Sequence, residues 1–148
     1  IRFVFKNTSK MRFLFSISLL FVVFLKTTAQ TKQKDLEKNY EKAIKSFEKN
    51  DFKEGYTYLA ECLKIDSTWH DALYSKAFFE LEEEEYEKAE KSFSKLLYHY
   101  PKDTLAYLGR ARAKVNLDLF EQAFRDVQKV LQMDSTHVQA LTDMGYVY

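Results

Sequence analysis

Shifting this chain against itself by 34 residues lays Tyr86, Ala89 and Phe93 on Phe120, Ala123 and Val127. The opposite shift lays them on Phe52, Gly55 and Leu59. A fixed period in this range means that each unit is one supersecondary element, too small to bury its own apolar face and obliged to stack on its neighbours. A second mark keeps the same register. Asp66-Ser67-Thr68 and Asp134-Ser135-Thr136 stand two periods apart, and Ala-Leu begins four residues after the Thr in both places. Inside the first unit Leu36, Tyr40, Ala43, Ile44 and Phe47 fall three and four apart, along one helical stripe. Three glycines and one proline leave few breaking points, so long helices with short turns are expected.

The spacing predicts a helix from Leu36 to Lys49 and another from Phe52 to Ile65. A third follows Ser67 and Thr68, whose hydroxyls suit the free amides of a helix start. A fourth runs from Tyr86 to Tyr98 and ends before Pro101, which cannot continue a helix. Two more cover 104–117 and 120–133, and a seventh starts near His137.

These units resemble tetratricopeptide repeats (TPRs), whose pattern is W-x2-L-G-x2-Y…A-x3-F…P. The middle unit supplies Ala77, Tyr86, Ala89, Phe93 and Pro101 at that spacing, and the next supplies Tyr107, Ala111, Phe120 and Ala123. Met144-Gly145 and Tyr148 match the L-G-x2-Y half of a further unit. The first unit diverges most, with Gly55 where Ala is usual. The resemblance implies an all-α fold, a right-handed solenoid of antiparallel helix pairs with about three and a half repeats: 36–69, 70–103, 104–137 and a partial 138–148. It also implies small residues at Ala77, Ala89, Ala111, Ala123 and Gly145 where paired helices approach closely. Phe52, Tyr86 and Phe120 are expected to fill the turns within pairs, and Leu59 and Phe93 to pack on the next pair.

Ahead of the repeats, residues 11–29 read as a signal peptide. Met11-Arg12 gives a basic start, Phe13 to Leu25 an apolar run broken only by Ser16 and Ser18, and Thr27-Thr28-Ala29 small residues for cleavage before Gln30. The run is short for a membrane span, yet Lys26 and a Thr at −3 leave a retained anchor, with membrane association, as the alternative. Export to the periplasm or envelope of a Gram-negative bacterium is the expectation. Residues 1–10 precede Met11 and look like upstream read-through or a fragment end, 30–35 like a polar linker. Tyr148 falls inside the first helix of a unit, so a fragment is expected, prone to self-association through its uncapped C-terminal end.

Charge separates the two parts. Residues 1–29 carry five basic and no acidic side chains, leaving 18 basic against 22 acidic in the remainder, a net charge of about −4. A mildly acidic body has no nucleic-acid footprint. His70, His99 and His137 show no metal-ligand spacing, Glu82 to Glu85 read as a solvated turn, and Cys62 as a packing residue. No phosphate loop, G-x-S-x-G, H-E-x-x-H or C-x-x-C occurs. The expectation is therefore no enzyme, no cofactor and no metal.

What remains is a surface for other proteins or peptides. In the family the first helix of each unit lines a concave groove. Mapped here, those positions are Tyr40, Ile44 and Phe47; Asp71, Tyr74, Phe78 and Leu81; Leu105, Leu108, Arg112 and Val115; and Tyr146 beyond. The family's binders of chaperone tails hold Lys and Asn on the first unit and Lys and Arg on the third. Tyr40, Ile44, Leu105 and Gly109 stand there instead, so that carboxylate clamp is absent. Some of these aromatics are equally readable as core. The expected function is a non-catalytic interaction scaffold of the cell envelope. The alternative is a sensor or accessory region of a larger membrane-anchored signalling protein or enzyme.

Overall fold

The computed structural model describes residues 2–137 and Thr142, with side chains described at Leu20, from Val23 to His137 and at Thr142. The described residues form six helices: α1 (Arg2–Glu48), α2 (Phe52–Ile65), α3 (His70–Glu82), α4 (Tyr86–His99), α5 (Thr104–Asn116) and α6 (Phe120–Met133). They pack as the pairs α1–α2, α3–α4 and α5–α6, with α4 against α5, α2 against α3, and α3 against α5. This is an all-α solenoid of three stacked helix pairs. The partial unit at 138–148, Thr142 apart, lies outside the described residues, Gly145 and Tyr146 included.

Every unit repeats the same burial. Ala43, Ala77 and Ala111 are buried at equivalent places on the first helices. Gly55, Ala89 and Ala123 face them on the second helices, and Leu59, Phe93 and Val127 sit one turn further on. Cys62, Leu96 and Val130 complete the row, each fully buried. The core accordingly falls into three clusters, one centred on each pair, rather than one common centre. Leu59 reaches Ala72 of the following unit through its cluster. Burial pushes the Cys62 thiol up to about 11, which makes it an inert packing group at neutral pH.

The turns are periodic too. The only described non-glycine residues with positive φ are Asn50, Glu84 and Asp118, spaced by one period, each within a turn between paired helices. Their neighbours repeat one pattern of bonds, with the amides of Asp51, Glu85 and Leu119 donating to the carbonyls of Ser46, Glu80 and Lys114 at 2.9 Å. Asn and Asp tolerate the left-handed region better than Glu, so Glu84 carries the strain of the three.

Three expectations change. Residues 30–35, expected as a linker, are helical and continuous with α1; Gln-Thr-Lys-Gln-Lys-Asp contains neither Gly nor Pro to stop a helix. Ser67 and Thr68 do not cap α3. Its N-cap is Trp69, without a side-chain bond, while Asp66 accepts from the Thr68 amide (3.0 Å) and hydroxyl (2.9 Å). Asp134 does the same with Thr136. The carboxylate is the stronger acceptor, and it turns the Thr hydroxyl into a donor. Phe120 stands 46% exposed instead of filling its turn. Phe52 has the Phe47 ring edge-on at 6.1 Å, but the residue at the equivalent place in the third unit is the smaller Val115.

A polar bond also ties the start of α3 to the start of α5. His70 Nε2 lies 2.6 Å from Asp103 Oδ2, and Asp103 Oδ1 caps α5 by accepting from the Ala106 amide at 3.0 Å. Burial of His70 opposes its charge, but the bonds to Asp103 and Asp71 outweigh it and raise its pKa above the ordinary 6.5. A raised folded-state pKa means that this link stabilises fully below 6.5 and loses its contribution as pH rises through the folded value. Urea midpoints should therefore fall slightly from pH 6 to 8. The half-exposed site limits the change to about 0–1 kcal/mol, and His70→Gln should abolish it; an equal pH dependence in that variant would contradict the assignment.

Candidate interaction groove

The first helices α1, α3 and α5 carry the side chains mapped to the groove, and burial divides them. Phe47 and Leu81 are 4% exposed and Leu108 is 8% exposed. These three are core, not lining. Phe47 lies stacked on Phe79 at 3.7 Å and edge-on to Tyr56 at 5.2 Å, and Gly55 leaves room for its ring. Leu81 and Leu108 belong to the clusters of the second and third pairs. Mapping by period identifies a helix face but not the depth at which each residue sits on it.

The remaining positions do present surface. Leu105 is 56% and Phe78 36% exposed, and Tyr74, Ile44 and Val115 are half-buried. Tyr74 and Phe78 stack with their rings 6.3 Å apart, and Tyr74 is edge-on to Phe93. Arg112 donates to Glu82 across the unit boundary at 3.1 Å. Along α1 a cavity of about 480 Å³ is walled by Tyr40, Ile44, Trp69 and Asp71. Tyr40 meets Trp69 edge-on at 5.1 Å and exchanges a hydroxyl bond with Ser75 at 2.8 Å.

Charge around this cavity is less sparse than the mapped positions suggested. Glu37, Glu41, Glu48 and Asp71 border it against Lys45, and Lys45 already pairs with Glu41 at 2.6 Å. Glu37, Glu41 and Glu48 flank the mapped positions on α1, which is why a reading confined to those positions passed over them, whereas Asp71 on α3 was among the positions mapped. Among the described residues no three side chains are placed to hold a metal ion.

Comparison with known proteins rests on shape. No protein-family model matches the chain, and no curated protein matches it. Among solved structures, the second TPR domain of human RPAP3, in complex with the HSP70 peptide SGPTIEEVD, superimposes with a TM-score of 0.71. The match has 17% identity and covers 78% of this chain and 97% of that one. The fold is that of a TPR domain. The TPR domain of Arabidopsis OM64 gives a TM-score of 0.70 at 19% identity over 78% of this chain and 96% of that one. MamA from Desulfovibrio magneticus RS-1 gives 0.68 at 21%, over 78% and 66%.

Within the TPR frame, two of the clamp positions have other duties. The Tyr40 hydroxyl is committed to Ser75, and Gly109 receives the Phe93 ring, where any Cβ would meet it at 2.3–2.8 Å. A polar station inside each pair escaped the sequence reading. Lys42, Lys76 and Arg110, one period apart, each reach a residue sixteen positions on: Lys42 lies over the Tyr58 ring at 5.0 Å and Lys76 donates to Ser92 at 2.9 Å. Arg110 forks onto Asp126 at 2.6 and 2.8 Å. Lys114 adds a third bond to Asp126 at 2.8 Å. The station was hidden because its residue types change from unit to unit while its place does not.

Proposed function

We propose that this chain is a non-catalytic protein-interaction domain whose groove along α1, α3 and α5 binds an apolar segment of a partner peptide or helix. The observation that carries the reading is the apolar surface left on successive first helices, at Phe78 and Leu105, together with the cavity walled by Tyr40, Ile44 and Trp69. Burying aromatic and aliphatic anchors in such a groove supplies most of the affinity in peptide recognition. The basic, apolar N-terminal stretch supports the further reading that the domain is exported and works as a scaffold in the cell envelope.

The partner differs in charge from the chaperone tails bound by the RPAP3 domains. Those peptides end in Glu-Glu-Val-Asp, whereas Glu37, Glu41, Glu48 and Asp71 border the cavity here. Like charges brought together across an interface disfavour binding. Calorimetry of the full chain with the peptide SRMEEVD should therefore give no saturable heat below about 1 mM, a threshold near −4 kcal/mol. Micromolar binding of that peptide would overturn the proposed groove chemistry.

A further inference from the structure

Half a turn round α3 from Asp71, Tyr74 and Phe78, a second pocket of about 280 Å³ opens between α2 and the turn joining α3 to α4. Glu80 enters it from α3, 6% exposed. One of its carboxylate oxygens takes Lys76. The other, Oε2, is fully buried and has no hydrogen-bond partner. A buried carboxylate oxygen left without a donor is costly, and it points to a missing cationic one. The charges around it agree. Glu80, Glu83 and Glu85 face two ammonium groups, and both of those are committed: Lys76 to Glu80 and Ser92, Lys88 to Glu85 at 3.0 Å.

The Tyr56 phenol feels the same field. Burial, its bond to Glu83, and the charges of Glu83, Glu80 and Glu85 all push its pKa far above the ordinary 10. The carboxylates do not converge as metal ligands. Glu80, on α3, and Glu83, at its C-cap, instead both line the pocket, where a planar fork of donors can bridge two carboxylates. Tyr56 and Leu63 provide a flat, partly apolar wall beside them, suited to the face of a guanidinium. The volume lies just under the range of pockets that enclose whole small molecules and suits a single side chain.

We propose that this pocket receives an arginine side chain presented by a partner protein, its guanidinium donating to Glu80 Oε2 and to Glu83. The site is separate from the groove and does not depend on what the groove binds.

The test is NMR on the full chain, following the Tyr56 ring and the Trp69 indole while adding the tripeptide acetyl-Gly-Arg-Gly-amide. Tyr56 should shift saturably and Trp69 should not. The citrulline analogue, equal in shape but uncharged, should leave Tyr56 unmoved. Glu80→Gln should weaken arginine binding by about tenfold or more, and Glu83→Gln, at the more open rim, should weaken it with the fold intact. Equal shifts with citrulline, undiminished affinity in both variants, or movement of Trp69 in place of Tyr56 would overturn the proposal. Agmatine binding at least about tenfold more tightly than the tripeptide would overturn the assignment to a protein partner and give the site to free guanidino compounds.

Discussion

Asp126→Ala is expected to lower the unfolding free energy by about 3–5 kcal/mol, the range for removing one partner from a buried ionic cluster. Asp126, buried on α6, accepts three charge-assisted bonds from α5, two from Arg110 and one from Lys114. All three side chains are largely buried. Burial alone would lower the pKa of Arg110, but the bond to Asp126 and its charge outweigh that and raise it. Without Asp126 the cations of Arg110 and Lys114, four residues apart on α5, would be left buried against α6 with no counter-charge. Ser94, at 3.0 Å from Arg110 Nη1, offers only a neutral oxygen in exchange. Urea denaturation followed by circular dichroism reads the effect directly. Asp126→Asn, which keeps the acceptors' shape, should cost less than the alanine variant. A loss below about 1 kcal/mol in Asp126→Ala would place the cluster among solvent-screened pairs.

Phe93→Ala should cost about 3–5 kcal/mol, as buried Phe truncations do. The ring is 1% exposed and lies between units, edge-on to Tyr74 at 6.2 Å on one side and against Gly109 on the other. Its loss therefore weakens the second pair and the seam to the third together. The reciprocal change is informative. Alanine is the better helix former by about 1 kcal/mol, yet Gly109→Ala should destabilise. Its Cβ would stand 2.3 Å from Phe93 Cζ, and overpacking of this kind costs about 1–3 kcal/mol. Phe93→Leu combined with Gly109→Ala should cost less than the two single changes added, because the smaller side chain vacates the space the methyl needs. Strict additivity in that cycle would show that the two residues do not share this contact.

Much of this was legible in the chain itself. The shift by 34 residues located five of the six helices to within about two residues, because the aromatic and small residues that set the period are those that meet at helix crossings. The start of α1 was not legible in that way. A polar stretch reads as a linker, whereas helix continues through it because nothing there interrupts the backbone. In the groove the sequence identified the correct helices but mixed surface with core. Phe47, Leu81 and Leu108 share a stripe with Tyr40, Phe78 and Leu105, and only packing against neighbouring helices, the next unit's included for Phe47, buries them. The Lys76 and Arg110 stations were invisible for the opposite reason. Their place repeats, but Ser92 becomes Asp126 and Glu80 becomes Lys114, so no residue type marks the period. Glu80 itself reads as one more acid beside the acidic run, and only its burial with an unpartnered oxygen sets it apart.

The groove is tested most directly through Trp69, the only tryptophan in the chain, which walls the cavity beside Tyr40 and Asp71. Its fluorescence should be followed while the full chain is titrated with a short peptide selected from a random library for binding it. The account predicts that the peptide carries apolar anchors, that Trp69 emission shifts saturably, and that Phe78→Glu removes both the shift and the binding. Binding that leaves Trp69 emission unchanged and survives Phe78→Glu would place the interaction surface elsewhere on the solenoid and contradict the account.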